Sequence, residues 1–288
     1  MWISKKKIEQ LCANIRRVID GQTIDLRDNQ EGAWSALQND IHTLAYHKVE
    51  QSHVLQQERD AMTEALVGVA HQIKTPLTSI MMMADLLADA DPTKQAELLT
   101  NLKLGIKRME WLAEALLKMA KLDAGAVSFK REAVSSTALI AQSLEPLQVL
   151  LDIKNQQIVS ATPPTNMDSE EVVTAPEITI TCDKRWTSEA LTNLLKNASE
   201  ATPSGGVIYV SVGENPMYQW IAVTDSGSGI DPTKRAKLFK RFEASSQDNG
   251  HGVGLPLALA IMRGQGGDID VDFGGHGQGA GFMLKFYK

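Results

Sequence analysis

Apolar residues recur at helical spacing along the first part of the chain. The first helical stretch carries Ile8, Leu11 and Ile15 on one face. A polar, glycine-containing segment then interrupts the pattern, and a second helical stretch begins near Glu31. Two short helices joined by an extended connector are therefore predicted for residues 1–50. They fit either a parallel, signal-transmitting linker of a dimer or a plain coiled-coil lead-in.

Two longer helices with a stronger pattern follow. From about Glu50 to Ala88, apolar residues recur every three, four or seven positions, which is typical of a seam buried against other helices. "DADPTK" predicts a turn in which Asp91 caps a new helix and Pro92 is its first residue. That helix repeats the pattern as far as Met119, and the short loop makes the pair an antiparallel hairpin. One hairpin covers only part of its two seams, so we expect a homodimer that completes a four-helix bundle. The predicted seams comprise Leu55, Met62, Leu66, Val69, Ala70, Ile73, Leu77, Ile80, Ala84 and Leu87, and then Leu98, Leu102, Gly105, Met109, Leu112, Leu116 and Met119.

The pattern changes in the second half of the chain. Short runs of β-branched and aromatic residues alternate there with helical stretches at about 136–152, 185–201 and 255–265. Strands are expected in "EITITC", "GVIYVSV", "WIAVTDS", "GDIDVDF" and "GFMLKFY". This mixture predicts an α+β fold with helices on one face of a sheet. The predicted domains are a linker over residues 1–50, a helical hairpin over 51–126 and a sandwich over 127–288.

Composition narrows the class of protein. The 288 residues carry a net charge of −6, which argues against a nucleic-acid-binding protein. Cys12 and Cys182 stand far apart, outside any metal-ligand spacing, and are expected to be incidental thiols in a reducing compartment. No apolar run approaches the roughly 18 residues that span a bilayer. The basic start, "MWISKKKIEQ", fits either a natural N-terminus or the cytosolic continuation of a membrane helix.

A histidine and a proline lie close together in the first long helix, within "LVGVAHQIKTPLTSI". His71 falls on the stripe beside the seam, at the edge of the predicted bundle. Pro76 has no backbone N–H, so the carbonyl of Gln72 loses its helical partner and the helix is expected to bend there. By themselves, these residues are also compatible with a surface histidine beside an incidental kink.

Two polar motifs in the second half could bind a nucleotide. "LTNLLKNASEA" places Asn193 and Asn197 four residues apart on one helical face, where their amides could bind Mg²⁺ and phosphate oxygens. "VTDSGSGID" follows a strand: Asp225 ends it, and Gly227 and Gly229 allow backbone to approach a ligand closely. A buried aspartate in such a place can accept a hydrogen bond from an adenine amine.

A third motif is rich in glycine. "GHGVGL" places Gly250, Gly252 and Gly254 just before a helix, an arrangement that can hold phosphate at a helix N-terminus. It lacks the G-K-[ST] ending of a P-loop and the downstream acid of a dinucleotide-binding fold. Each of the three motifs alone is also compatible with ordinary turns and surface helices. Their order and spacing together are hard to obtain by chance.

In that order the motifs resemble those of the sensor histidine kinases of two-component signalling, over roughly residues 60 to 288. "VAHQIKTPLTSI" resembles the phosphoacceptor box, "LTNLLKNASEA" the asparagine box and "VTDSGSGIDP" the first glycine box. "KLFKRFEAS" resembles the phenylalanine box, "GHGVGLPLALAIMRGQGG" the second glycine box, and "GQGAGFMLKF" the closing strand. The resemblance implies an α+β protein, in which a dimeric helical hairpin precedes an ATP-binding α/β sandwich of the Bergerat or GHKL type, shared with gyrase and heat-shock chaperones.

The resemblance also implies roles for individual residues. His71 would take the γ-phosphoryl group of ATP, Asn193 and Asn197 would hold Mg²⁺ and the phosphates, and Asp225 would contact the adenine. Lid closure over the phosphates would exclude water and favour transfer to histidine over hydrolysis. The remaining expected contacts are Gly227 and Gly229 beside the adenine, Lys196 at phosphate, Phe239 and Phe242 anchoring the lid, and Gly250, Gly252 and Gly254 allowing it to close.

The chain departs from the family pattern beside the phosphoacceptor. Most members carry an acid where this chain has Gln72, whose amide can accept a hydrogen bond from the imidazole but cannot serve as a base. Thr75 matches the position that orients a hydrolytic water when members dephosphorylate their partner, although a plain helical threonine fits equally. Glu200 replaces the basic residue that touches phosphate in many members, so that contact is absent or is supplied by Lys196.

The predicted function is that of a homodimeric, Mg²⁺- and ATP-dependent histidine kinase. It would autophosphorylate on His71 and transfer the phosphoryl group to an aspartate of a separate response-regulator receiver domain. Residues 1–50 resemble a HAMP-like linker, and members with that lead-in are commonly anchored just upstream. We therefore expect an anchor before Met1 and a kinase on the cytoplasmic side. Two rivals are a nucleotide-binding scaffold that transfers nothing, favoured by Gln72, and a gyrase-like or chaperone-like ATPase.

Overall fold

The computed structural model describes most of the chain. The described residues are 5–19, 33–87, 91–160, 176–231, 233, 237–241, 252–272 and 279–288. The chain comprises two compact units, Met1–Val67 and Gly68–Lys288. Among the described residues, no helix is both long enough and apolar enough to cross a membrane.

The first unit is helical. Helix α1 covers Lys5–Ile19, and helix α2 begins at Ala33 in this unit and ends at Leu87 in the second one. On the predicted apolar face of α1, Leu11 is buried and Ile15 is half-buried, whereas Ile8 is largely exposed. The glycine-containing connector lies outside the described residues, so the signal-transmitting linker stays a prediction.

Helices α2 and α3 form the predicted hairpin. Helix α3 covers Pro92–Asp123, and Asp91 caps it as expected, because its Oδ1 accepts a hydrogen bond from the Lys94 N–H at 3.0 Å. The helices touch where a Cβ added to Gly105 would lie 2.9 Å from Ile80 Cγ1. Helix α2 runs through Pro76 without ending. The helical hairpin is thus confirmed.

The seam predicted for the two helices divides into two parts. Leu66 and Leu77 are exposed in the single chain, at 60% and 43% of their surface. Leu112 and Met119 are instead buried, because this part of α3 packs on a later helix, α7 (Gly254–Gly264), and joins the hydrophobic core of the sandwich. The sequence pattern identified both sets as apolar contacts, but it assigned the second set to the bundle seam rather than to the sandwich.

The sandwich follows the hairpin directly. In the order of the chain, its described elements are β1 (Glu132–Ser135), α4 (Ser136–Leu144), a short 3₁₀ helix (Glu145–Leu147), α5 (Gln148–Ile153), β2 (Gln157–Val159), β3 (Thr179–Cys182), α6 (Lys184–Ala201), β4 (Val207–Glu214), β5 (Tyr218–Thr224), α7 (Gly254–Gly264), β6 (Asp268–Asp272) and β7 (Gly281–Tyr287). The helix predicted over 136–152 is interrupted at Pro146, which lacks the N–H needed to continue an α-helix.

One five-stranded sheet carries the core. Its strand order is β2-β4-β5-β7-β6, with β2 and β4 parallel and the other neighbours antiparallel. Alternate side chains, including Ile208, Ile221 and Leu284, are fully buried on one face. Helices α4, α6 and α7 pack together and contribute to the same core. This arrangement confirms the predicted α+β sandwich.

Two short strands were not predicted. β1 pairs antiparallel with β3, the strand expected from "EITITC", and together they form a separate two-stranded sheet. β2 adds a parallel edge strand to the main sheet. β1 and β2 have only four and three residues and show no clear alternation in the sequence, so their tertiary pairing reveals them.

Candidate active site

Helix α6 presents the predicted asparagine face. Asn193 is buried, with 6% of its surface exposed, and its Nδ2 donates to the Glu189 carbonyl at 3.0 Å. Asn197 and Lys196 are half-buried one turn further along. A Cβ added to Gly254, at the start of α7, would lie 3.2 Å from Asn193 Oδ1. The structure therefore brings the asparagine motif and the second glycine motif together.

The amide chemistry of this face suits Mg²⁺. Because Nδ2 of Asn193 is held by the backbone, Oδ1 is the atom left to meet a ligand beside Gly254. Mg²⁺ binds oxygen atoms and commonly takes few of them from protein, with phosphates and water completing its shell. Within the described residues there is no cluster of three histidines, cysteines or acids that could hold a metal by itself. Asn193 and Asn197 thus fit a magnesium ion shared with a nucleotide.

Asp225 lies at the end of β5, deep in the sandwich. Only 3% of its surface is exposed. Its N–H donates to the Ala280 carbonyl at 3.0 Å, and its Oδ1 accepts from the Gly227 N–H at 2.8 Å. Burial raises the pKa of the Asp225 carboxyl, and the hydrogen bond from Gly227 opposes that rise. The result is a fixed, buried acceptor suited to a ligand amine.

Close backbone approaches hold the loop after Asp225. A Cβ on Gly227 would lie 2.5 Å from the Ala201 carbonyl oxygen at the end of α6. A Cβ on Gly279 would lie 1.8 Å from the Asp225 carbonyl oxygen, and Gly279 also has φ +74°. Both positions therefore need glycine. Sequence reasoning missed Gly279, whose only signal was its place in the glycine-rich run before the last strand.

The structure describes some of the other residues predicted for the lid and the loops. Gly229 has φ +77° and Gly252 has φ +61°. Phe239 is half-buried and packs against the hydrophobic core. Phe242 and Gly250 lie outside the described residues. Ordinary core packing explains the half-buried position of Phe239, and its role in anchoring a lid stays a prediction.

His71 is exposed on helix α2, and its position at the edge of the bundle stays a prediction. Gln72 beside it is half-buried. The Thr75 hydroxyl donates to the His71 carbonyl at 3.2 Å, a contact that helical threonines commonly make with the preceding turn. The imidazole thus faces solvent, while the hydroxyl of Thr75 is occupied by backbone.

Three contacts between the hairpin and the sandwich were not predicted. The Lys196 ammonium lies 4.2 Å from the centroid of the Trp111 ring. Lys118 Nζ lies 2.9 Å from Glu189 Oε2. The guanidinium of Arg241 makes two hydrogen bonds with the Asp123 carboxylate, at 2.6 and 2.7 Å. The partners lie more than 65 residues apart along the chain, beyond the reach of any local pattern.

Two families of known domains match this chain. Residues 61–125 match the His Kinase A (phospho-acceptor) domain. Residues 182–287 match the histidine kinase-, DNA gyrase B- and HSP90-like ATPase. The two matches together span more than half of the chain. The first contains the part of the hairpin with His71, and the second contains the part of the sandwich with Asn193 and Asp225.

Curated proteins of similar sequence include two bacterial sensors. The heme sensor protein HssS of Staphylococcus saprophyticus is 28% identical over 250 residues, which cover 86% of this chain and 50% of that protein. The sensor protein CreC of Escherichia coli is 25% identical over 251 residues, which cover 87% of this chain and 48% of that protein. The chain thus spans about half the length of these relatives.

Solved structures show the same fold. The histidine kinase ThkA, solved in complex with the response regulator protein TrrA, superposes with a TM-score of 0.61 at 19% identity, covering 84% of this chain and 66% of ThkA. The histidine kinase AdeS of Acinetobacter baumannii gives a TM-score of 0.58 at 19% identity, covering 75% of this chain and 97% of AdeS. At these identities the likeness concerns the architecture alone.

Proposed function

This chain belongs to the sensor histidine kinases, and from that premise we propose that it autophosphorylates on His71 with Mg²⁺ and ATP. The observation that carries the proposal is the presence, in one chain, of an exposed histidine on the phosphoacceptor hairpin and a buried nucleotide-type site on the sandwich. Neither a scaffold nor a simple ATPase requires both.

The proposed reaction is a phosphoryl transfer from ATP to imidazole. A neutral imidazole nitrogen attacks the γ-phosphorus, the bond to the β,γ-bridging oxygen breaks, and ADP leaves while the imidazole releases a proton to solvent. When bound, Mg²⁺ offsets the negative charge of the phosphates. The protein's own contribution is mainly positioning, because phosphoryl transfer needs aligned groups more than it needs covalent chemistry from side chains.

Each predicted residue has a task in this scheme. Asp225 accepts a hydrogen bond from the adenine amine at a fixed, buried position. Asn193 and Asn197 direct amide oxygens to Mg²⁺ and the phosphates. Gln72 can accept a hydrogen bond from the imidazole N–H and orient the ring, but it cannot remove the proton. The remaining expected contacts come from Gly227 and Gly229 at the adenine wall and from Phe239, Phe242, Gly250, Gly252 and Gly254 in the lid.

The proposed acceptor of the phosphoryl group is an aspartate on a separate receiver domain. The phosphorus–nitrogen bond of phosphohistidine breaks, a phosphorus–oxygen bond to the carboxylate forms, and the imidazole is regenerated. An opposing activity, hydrolysis of the phosphorylated aspartate on the receiver domain, would use Thr75 to orient a water. The Thr75 hydroxyl donates to the His71 carbonyl, and its oxygen can still accept a hydrogen bond from such a water.

The proposed setting is a homodimer on the cytoplasmic side of the cell membrane, with an anchor upstream of Met1. The exposed apolar side chains of α2, such as Leu66 and Leu77, support the dimer. The anchor rests on the likeness of residues 1–50 to a HAMP-like linker. Fractionation of cells that express the full natural protein would test it, since an anchored protein stays with the membranes at high salt.

Autophosphorylation is the direct test of the proposed reaction. Purified protein would be incubated with Mg²⁺ and ATP labelled at the γ-phosphate, as wild type, His71→Ala and His53→Ala. His53 is a matched control, because it is also an exposed histidine on α2. We expect label on the wild type and on His53→Ala and none on His71→Ala. The bound label should be lost in acid and retained in base.

Two other results would contradict the proposal. Nucleotide binding without any label would favour the scaffold and would make Gln72 the first residue to exchange for glutamate. Steady phosphate release that is unchanged in His71→Ala would favour an ATPase of the gyrase or chaperone kind.

A further inference from the structure

Trp111 and Lys196 join the two halves of the proposed kinase. Trp111 belongs to the hairpin helix α3, and Lys196 lies between the two asparagines of α6. The ammonium sits 4.2 Å from the centroid of the indole ring, within the range of a cation–π interaction. The sequence left the phosphate contact either absent or supplied by Lys196, and that role stays a prediction. In the structure, this side chain contacts the hairpin.

A second contact shows that α3 and α6 meet in a defined register. Lys118 follows Trp111 by seven residues on α3, and Glu189 precedes Lys196 by seven residues on α6. The Lys118–Glu189 ion pair is 2.9 Å long. Seven residues are about two helical turns, so both contacts fall on one stripe of each helix. The order of the two contacts is therefore antiparallel, and they lie roughly 10 Å apart along the helices.

The hairpin register places these contacts near His71. Gly105 of α3 lies opposite Ile80 of α2. Because both helices rise by the same amount per residue and run antiparallel, Trp111 lies level with Lys74, less than one turn from His71. The same register puts Ile73 level with Leu112, and Ile73 does pack against the core that contains Leu112.

We propose that Trp111 is a positioning residue for autophosphorylation. Its ring holds Lys196, and with it the asparagine face of α6, at the height of the phosphoacceptor histidine. The Lys118–Glu189 pair sets the second point of the same contact, and the Asp123–Arg241 pair secures the end of α3. This inference rests on the proposed function, since it names the residues that bring the phosphate end of the nucleotide site to His71.

The kinetic test separates positioning from nucleotide binding. The variants are Trp111→Ala, Trp111→Phe, Lys196→Met and the double variant Trp111→Ala/Lys196→Met. We expect Trp111→Ala and Lys196→Met each to lower kcat of autophosphorylation about tenfold, as the loss of a partly desolvated cation–π contact would. The dissociation constant for a non-hydrolysable ATP analogue should change by less than about twofold. Trp111→Phe, which keeps a weaker ring, should fall between wild type and Trp111→Ala.

The double variant tests whether the two side chains act through each other. It should be no slower than the slower single variant, because the second substitution removes a contact that is already lost. Lys184→Met is the matched control, since Lys184 is an exposed lysine at the first position of the same helix, twelve residues before Lys196. It should keep the wild-type kcat.

Several outcomes would overturn the inference. If Lys196→Met binds the ATP analogue much more weakly than wild type, Lys196 contacts the nucleotide phosphates and its main role is not positioning. Faster autophosphorylation in Trp111→Ala would show that the contact restrains the kinase rather than positioning it. A wild-type rate in Trp111→Ala would show that the contact is dispensable.

A second measurement tests the same geometry without catalysis. Cysteines would replace Lys118 and Glu189 in a chain whose Cys12 and Cys182 are serines, and a short bis-maleimide would be added. Efficient intramolecular cross-linking, absent for a Lys118/Lys184 cysteine pair, is expected from the register. If the wild type takes no label, the proposed function fails, whereas a missing 118–189 cross-link refutes the positioning contact itself.

Discussion

Asp225 combines two requirements that oppose each other. It must be buried to present a fixed acceptor, and burial disfavours the ionised form that accepts hydrogen bonds best. The raised pKa of its carboxyl is the measure of that conflict, and the N–H of Gly227 relieves part of it. An adenine amine would supply a further donor and stabilise the ionised carboxylate.

Nucleotide affinity should therefore depend on pH through Asp225. Because the pKa of this carboxyl is raised, it takes up a proton at a higher pH than an ordinary aspartate. Affinity for ADP should be full above that pKa and should fall as the pH is lowered through it, with a proton released on binding in that range. Titration calorimetry at several pH values would measure both effects.

Asp225→Asn supplies the control for this prediction. It should bind ADP more weakly at neutral pH and lose the pH dependence. Because the carboxyl has a higher pKa in the folded than in the unfolded protein, stability falls as the pH rises from the ordinary aspartate pKa to the raised one, and the loss is complete above the raised pKa. The nucleotide-free variant should therefore unfold no more easily than wild type at neutral pH. Unchanged pH dependence in Asp225→Asn would assign the effect to another group.

Gly279 makes a second residue-scale prediction. Gly279→Ala should lower the free energy of unfolding by about 3 kcal/mol or more, because the new methyl group meets the Asp225 carbonyl and the backbone is left-handed. Gly205→Ala is the matched control, with φ +80° and no atom within 4 Å of the added Cβ. It should cost only about 1–2 kcal/mol. Urea denaturation would compare them, and equal losses would contradict the steric argument.

At the scale of elements, the C-terminus of α6 is held by a buried polar network. Nε2 of Gln156 donates to the carbonyls of Ser199 at 3.0 Å and Thr202 at 2.7 Å. The Ser199 hydroxyl donates back to Gln156 Oε1 at 2.6 Å. The network satisfies carbonyls that a helix end leaves without partners. It also fixes the turn where Ala201 meets Gly227.

Gln156→Leu should remove this support. The substitution leaves a buried hydroxyl and two buried carbonyls with fewer partners, so the free energy of unfolding should fall by about 3 kcal/mol. ADP affinity should fall as well, because the Gly227 loop rests on the end of α6. Thermal unfolding and calorimetry would measure the two effects. Gln148→Leu, at an exposed position on α5, should change neither, and equal effects of both variants would contradict the argument.

At the scale of the whole molecule, the hairpin has two apolar surfaces with different partners. The part of α3 that includes Leu112 and Met119 is already covered by α7 and the core of the sandwich. The stripe that includes Leu66 and Leu77 is exposed in the single chain. A second hairpin would cover this stripe and form the four-helix bundle that the sequence pattern predicts.

Leu77→Glu should therefore weaken self-association. A charge on the predicted seam would be buried without a partner, so the dimer dissociation constant should rise at least about tenfold. Size-exclusion chromatography with light scattering would give the mass over a range of concentrations. Val149→Glu alters an equally apolar, 71% exposed side chain of the sandwich and should remain dimeric. A wild type that is monomeric at micromolar concentration would contradict the dimer.

The sequence by itself determined the longer elements and the residue types available for chemistry. The periodicity predicted α6 over 185–201, and the helix covers Lys184–Ala201. The cap at Asp91 could be predicted because its side chain accepts from the N–H of Lys94, only three residues further along the chain. The placing of Asp225 at the end of a strand and of Gly227 in the loop after it likewise follows from local order. Interactions between residues a few positions apart depend only on the local sequence, so they can be predicted without knowing the fold.

Only the tertiary structure decided which surfaces meet. It paired β1 with β3 outside the main sheet, and it packed the end of α3 on α7 rather than along a bundle seam. It also took Lys196 to Trp111, where the sequence had suggested a phosphate. An apolar stripe or a single lysine indicates the chemical type of its partner but not which residues that partner contains. That choice depends on packing between residues far apart in the chain, where many partners are chemically equivalent and shape selects among them.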